Sequence, residues 1–163
     1  MDNRLQKAAT AYITSLARAT AVEIQEYAAE VRDNRKFHDG IIEKRDSQGR
    51  RTSGCYYGIS ETLGTVLYII CRKQKPDSAM ETGVASGVSS SHILCALETN
   101  ERGQLYSIDM PGWQKNQSGW MIPDYLKHRW HLTQGRSSET MAPLLKKVKE
   151  IDIFLHDSDH SYE

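Results

Sequence analysis

The stretch Ser78-Ala79-Met80-Glu81-Thr82-Gly83-Val84-Ala85-Ser86-Gly87-Val88-Ser89-Ser90 constrains the fold more than any other part of the chain. Small and apolar residues up to Thr82 suit a buried strand, two glycines four positions apart permit a tight turn, and the residues after Gly87 open a helix. Strand, glycine turn and helix in that order present backbone N–H groups to a bound group. Dinucleotide-binding turns of the G-x-G-x-x-G type carry glycine where this chain has Glu81, so the pattern here is acid-x-Gly-x-x-x-Gly. A carboxylate directed at the ligand would repel a pyrophosphate and suits a cationic group.

The following residues extend the unit. Val88 to about Thr99 is compatible with helix, with Ile93, Leu94 and Leu97 spaced for one apolar face, and Asn100-Glu101-Arg102-Gly103 closes it. Gln104 to Asp109 then reads as a second strand ending in an acid 22 residues beyond Gly87. That is close to the roughly 20-residue spacing at which a strand-end carboxylate reaches ribose hydroxyls in a βαβ unit. One ionised carboxylate can accept from two hydroxyls.

Elsewhere, the pattern from Leu5 to Val31 fits a long amphipathic helix over about residues 3–31, with a break near Thr20. Arg32 to Gly54 is polar, rich in turn signals, and reads as a loop whose basic residues are solvated. Ser60 is placed to cap a helix through Leu63, Val66, Leu67, Ile70 and Cys71, and Pro76-Asp77 turns the chain into the Glu81 strand. After Asp109 comes a long irregular connection whose Trp113, Trp120 and Tyr125 serve either as pocket walls or as packing anchors. Trp130 to Thr133 reads as a third strand, Glu139 to Val148 as a helix, and Ile151 to His156 as a fourth strand. Strands alternating with helices predict an α/β layered fold with a mainly parallel sheet and a ligand outside the strand C-termini.

The fourth strand runs into Asp157-Ser158-Asp159-His160. The functional reading places Asp157 and His160 at the crevice as proton acceptors, with Asp157 also a candidate ligand for a hard divalent metal such as magnesium. The plainer reading is a capped turn with surface histidines. The 21 basic and 21 acidic side chains cancel, which disfavours a nucleic-acid partner. Neither a membrane span nor a signal-peptide core is present, so a cytoplasmic location is expected, with Cys55, Cys71 and Cys95 reduced.

Glu81 to Ser90, Leu105 to Asp109, Gly119-Trp120-Met121-Ile122-Pro123, Arg129-Trp130, Gly135 and Asp152 to Glu163 together resemble class I S-adenosylmethionine-dependent methyltransferases. The similarity is to the branch with an acid-Thr-Gly-Val-Ala-x-Gly-Val-Ser-Ser turn and a strand ending in His-Asp-Ser-x-His-x-Tyr. It implies a Rossmann-like three-layer sandwich over residues 58–163, preceded by a helical and loop extension over residues 1–57. It also implies that Gly83, Ala85 and Gly87 line the methionine moiety, that Ser89 belongs to the cofactor site and that Asp109 holds the ribose. Gly135, Arg136 and Ser137 then lie near adenine. The ammonium and sulfonium of S-adenosylmethionine supply the cationic group that Glu81 suits.

Asp157 and His160 are the catalytic candidates, and transfer to an oxygen of a small-molecule acceptor is the commonest outcome in such proteins. Arg136 stands where many relatives have an acid. The resemblance also implies further strands after Glu163, so the expected sheet is C-terminally incomplete, with an open edge able to pair with a second copy. Two other functions remain open: a non-catalytic cofactor-binding or assembly module, and a nicotinamide-dependent oxidoreductase, which Glu81 disfavours.

Overall fold

The computed structural model describes residues 11–47, 60–111 and 118–158. Four strands form one sheet: β1 (Ser78–Thr82), β2 (Gln104–Asp109), β3 (Trp130–Gln134) and β4 (Ile153–His156). Their order is β3-β2-β1-β4 and every pairing is parallel. The order reverses direction at β1, whose neighbours β2 and β4 carry the chain outward to either side. In open α/β sheets a ligand sits in the crevice at that reversal.

Helices α4 (Glu61–Gln74) and α5 (Val88–Thr99) cover one face, where Leu67, Tyr68, Ile93, Leu94, Leu97 and Leu105 form the main core. Helix α6 (Ser137–Val148) covers the other, where Leu144 meets Met80 and Ile108. The result is the Rossmann-like three-layer arrangement. The sequence predicts a single apolar face for α5, yet Ser89 to Leu97 are all buried. The helix lies between the sheet, α4 and a 3-10 helix at Asp124–Arg129, so even its polar positions are enclosed. His92 shows the consequence: its ring packs edge-on to Phe37 at 5.0 Å, and Nδ1 donates to the Val88 carbonyl at 2.9 Å. Burial depresses its pKa. The ring also occupies the space a side chain at Gly64 would need, since a Cβ there would stand 2.6 Å from it.

The predicted break near Thr20 separates α1, helical over residues 11–17, from α2 (Ala21–Arg32). Thr20 caps α2 in a reciprocal box with Glu23. Ala17, Ala19 and Ile24 pack on Ile69 and Ile70 of α4. The segment that reads as a loop after Arg32 is instead largely helical: α3 spans Arg35–Ser47. Its polar composition hides a short apolar anchor. Phe37 is 1% exposed in the main core, Ile41 packs beside it, and Asn34 Oδ1 accepts from Phe37 N at the helix start. Tertiary burial of one aromatic ring outweighs weak local propensity here. Cys71 and Cys95 are buried free thiols, while Cys55 lies outside the described residues. Among the described residues no helix is long and apolar enough to cross a membrane.

Candidate functional site

The turn after β1 winds through three residues with positive φ: Gly83 at 86°, Ala85 at 49° and Gly87 at 92°. Gly83 N donates to Ile108 O, and Asp157 N donates to Thr82 O, both at 2.9 Å, so the sheet ladders run right up to the turn. A Cβ on Gly83 would stand 2.0 Å from the Asp157 carbonyl oxygen, and one on Gly87 would stand 2.8 Å from Gly119 Cα. The glycines therefore let the end of β4 and the segment around Gly119 close against the turn. Gly87 also occupies the N-cap of α5 without a side-chain cap. The helix N–H groups and the positive end of its dipole are thus directed toward the turn.

A cleft of about 540 Å³ opens beside the turn at the C-terminal ends of β1 and β4. This is within the range of roughly 300–1,000 Å³ usual for small-molecule sites. Its wall is apolar, from Leu63 and Leu67 of α4, Val88 and Leu155, and its rim carries Gly83, Ala85, Ser89, His156 and Asp157. On the other side of the turn, Asp109 is half-buried at the end of β2. Its Oδ2 accepts from Ala85 N at 3.2 Å and its Oδ1 from Met110 N at 3.0 Å. An ionised carboxylate has about four acceptor sites, so lone pairs remain on both oxygens for ligand hydroxyls.

Glu81 is not where the sequence argument puts it. Its side chain is 0% exposed and does not line the cleft. Ser107 Oγ donates to Oε1 at 2.7 Å, Ser90 Oγ to Oε1 at 2.5 Å, and Ser89 Oγ to Oε2 at 3.3 Å. Burial raises its pKa to about 7 against the pull of those three hydroxyls. Glu81 shares a face of the sheet with Ala79 and with its β4 partner Leu155, on the α4 and α5 side, but there Ser89 and Ser90 of α5 and Ser107 of β2 enclose its carboxyl. The carboxyl supports the turn from beneath, and Ser89 touches both Glu81 and the cleft.

Gly135, Arg136 and Ser137 follow β3, which is separated from β4 by β2 and β1, so they flank Asp109 on the side away from the cleft. Gly135 N donates to Asp109 O at 2.9 Å. Arg136 is exposed and Ser137 begins α6. Asp157 is exposed at the cleft rim. His160 and Asp159 lie outside the described residues, as does Trp113. Among the described residues no three metal-ligating side chains come together. Tyr125 is half-buried against the core with Lys36 Nζ 4.1 Å from its ring centroid, the anchor role left open by the sequence.

His156 was not singled out as a site residue. It lines the cleft, with Nδ1 2.7 Å from Thr82 Oγ1 and 3.4 Å from Ser158 Oγ. Register explains the encounter, since Thr82 is the parallel partner of His156, and pairing of β1 with β4 is not written in either strand alone. Leu63 and Leu67 also line the cleft, and a helix preceding β1 gives no local sign that its N-terminal end reaches the crevice.

The methyltransferase-domain family matches residues 80–163, just over half of the chain. No curated protein sequence matches it. Among solved structures, an O-methyltransferase from Bacillus cereus in complex with SAH aligns with a TM-score of 0.55 at 15% identity, covering 88% of this chain and 63% of that one. A proposed O-methyltransferase from Klebsiella pneumoniae aligns with a TM-score of 0.54 at 15% identity, covering 86% and 60%. The chain thus spans about 60% of the length of these structures. At such identity the structures speak for the fold, and the sequence match speaks for the lineage: the chain belongs to the methyltransferase-domain family.

Proposed function

We propose that this chain binds S-adenosylmethionine across the glycine turn and contributes to methyl transfer onto an oxygen of a small molecule. The observation that carries the reading is the position of Asp109. Its carboxylate is tied by Ala85 N to the same turn that borders the cleft, so one ligand can reach the carboxylate and the cleft at once. The residues fit the cofactor in kind. Asp109 has acceptor capacity for ribose hydroxyls, the turn and the α5 N-terminus supply N–H groups for a methionine carboxylate, and Ser89 supplies a hydroxyl. Gly135, Arg136 and Ser137 are the proposed adenine side of the site. When bound, the cofactor supplies an electrophilic methyl on a cationic sulfur.

The chain's own part is to orient and to move a proton. The apolar wall of Leu63, Leu67, Val88 and Leu155 excludes water and holds an acceptor in line, which removes much of the entropic barrier. The acceptor hydroxyl must lose its proton as the new bond forms, and Asp157 at the rim, with His160, is the proposed recipient. Glu81 acts on the cofactor through Ser89 and the turn rather than by direct contact. A divalent ion such as magnesium at Asp157 belongs to the same proposal and is tested by titrating magnesium into the cofactor complex.

Titration calorimetry with S-adenosylhomocysteine tests the reading. Binding is expected, and Asp109→Ala is expected to weaken it by about 1.5–3 kcal/mol, the range for hydrogen bonds to a charged group. Parent affinity in a folded Asp109→Ala protein removes Asp109 from the site, and no binding by the parent removes the cofactor.

A second reading, an assembly module without catalysis, is favoured by β4. Among the described residues it pairs with β1 alone, and Phe154 on it is 51% exposed. An open parallel edge with an exposed aromatic ring suits a second copy of the chain. Light scattering giving twice the chain mass, with no cofactor bound, supports this module.

A further inference from the structure

The glycine turn is held by two supports that lie away from the cleft, and a single side chain reaches one directly and the other through Ser107. The first support is the segment 118–122. Gly119 N donates to Ala85 O and Met121 N donates to Ser86 O, each at 2.9 Å. Ile122, 0% exposed, and Gly119 close against Gly87. The second support is Glu81 at the foot of the turn, which receives Ser107 Oγ at 2.7 Å from β2.

Trp130, the first residue of β3, joins them. Its ring lies over Gly119, where a Cβ would stand 2.4 Å from the ring edge, and Gly119 keeps φ at 73°. Its Nε1 donates to Ser107 Oγ at 2.8 Å. The direction of this chain of bonds is fixed by chemistry. Indole N–H only donates, so Ser107 accepts from Trp130, and it passes its own hydrogen to the ionised Glu81 carboxylate. Ser107 is 0% exposed, so bulk solvent does not compete for it.

We propose that Trp130 is a positioning residue for the cofactor turn, holding Ala85, Ser86 and Gly87 in their ligand-ready conformation through Gly119 on one side and through Ser107 and Glu81 on the other. Trp130 is not among the residues that line the cleft. The need for such a brace follows from the turn itself. Ala85 has positive φ without being glycine, a conformation that persists only where the surroundings over-determine it. The two bonds from residues 119 and 121 bracket that position.

The proposal rests on the cofactor reading for its binding arm alone, so its test has a second arm without ligand. Three proteins are compared: the parent, Trp130→Phe, which keeps a ring over Gly119 but loses the N–H, and Trp130→Ala, which loses both. In the free proteins, amide hydrogen exchange is measured at Gly119 and Met121. Exchange there should accelerate in Trp130→Ala and less in Trp130→Phe, while β1 and β2 amides keep their protection.

With S-adenosylhomocysteine, affinity should fall about tenfold in Trp130→Ala, within the range by which residues remote from a ligand modulate binding, and Trp130→Phe should lie between. Parent exchange rates at residues 119 and 121 in both variants overturn the proposal. So does acceleration spread evenly over the whole sheet, which marks general destabilisation. If the parent binds no S-adenosylhomocysteine, the cofactor reading fails and the exchange rates alone decide the brace. Should Trp130→Ala not fold, Trp130→Phe decides by the same two readouts.

Discussion

Glu81 and Glu23 are the same residue type in opposite circumstances. Glu81 is fully buried under the turn and satisfied by three serine hydroxyls, with no cation hydrogen-bonded to it, and burial raises its pKa to about 7. Glu23 sits in the first turn of α2, receives Lys73 Nζ at 2.5 Å together with the Thr20 N–H and hydroxyl, and its pKa falls to about 2. Neutral donors stabilise a buried carboxylate less than water does, whereas a cation and a helix start favour the charged form outright. The sheet beside the glycine turn thus carries its acid at a cost in stability. The helical layer carries its acid as a support.

The largest effect should come from breaking the fit of the turn. Gly83→Ala places a methyl 2.0 Å from the Asp157 carbonyl at φ 86°, so β4 or the turn must move. Strain and overpacking together should cost about 3 kcal/mol or more in chemical denaturation and abolish S-adenosylhomocysteine binding. A stable alanine variant that binds would show that the turn and β4 are not fitted to one another as described.

Next in size is the pH dependence from Glu81. Its folded pKa, about 7, lies above the ordinary 4.5. Between those values the native state binds more protons than the unfolded chain, so its stabilising term is full below about pH 4.5 and is lost as pH rises through 7. At about 1.4 kcal/mol per unit, the loss is roughly 3 kcal/mol at most. Glu81→Gln should flatten this slope in urea denaturation between pH 4.5 and 7.5, while keeping the shape of the side chain. A parent that holds constant stability over that window removes the contrast with Glu23.

The same contrast explains what was legible in the sequence. The turn, α5 and β2 announce themselves because they are continuous: Val88 to Thr99 and Gln104 to Asp109 fall where the periodicity puts them. Asp109 was readable by its spacing from Gly87. The enclosure of Glu81 was not, since it depends on Ser107 of β2 and on Ser89 and Ser90 of α5 closing over the carboxyl, contacts that β1 alone does not announce. Helix α3 was hidden because its support is Phe37 meeting His92 and the core, a contact between residues far apart in sequence. His156 was hidden by register, and Leu63 and Leu67 by the path of α4 to the crevice.

The smallest effect belongs to the helical layer and carries the opposite pH sign. Glu23 has a folded pKa lowered to about 2 by Lys73 first and by Thr20 next. Its contribution is therefore present above the ordinary 4.5 and lost as pH falls toward 2, where Glu81 contributes most. Being partly exposed, the Glu23–Lys73 pair is screened by salt, and the Glu81 network, which holds no ion pair, is not. Thr20→Ala removes the reciprocal cap of α2 and should cost about 1 kcal/mol, the usual value of an N-cap. It should leave S-adenosylhomocysteine affinity unchanged, because no residue of α2 lines the cleft. Denaturation of the parent and Thr20→Ala at pH 3 and pH 6, each at low salt and at 1 M salt, checks the assignment. The difference between the two proteins should shrink at pH 3 and in salt. If it stays the same under all four conditions, the cap acts through Thr20 alone and Glu23 has no part in it.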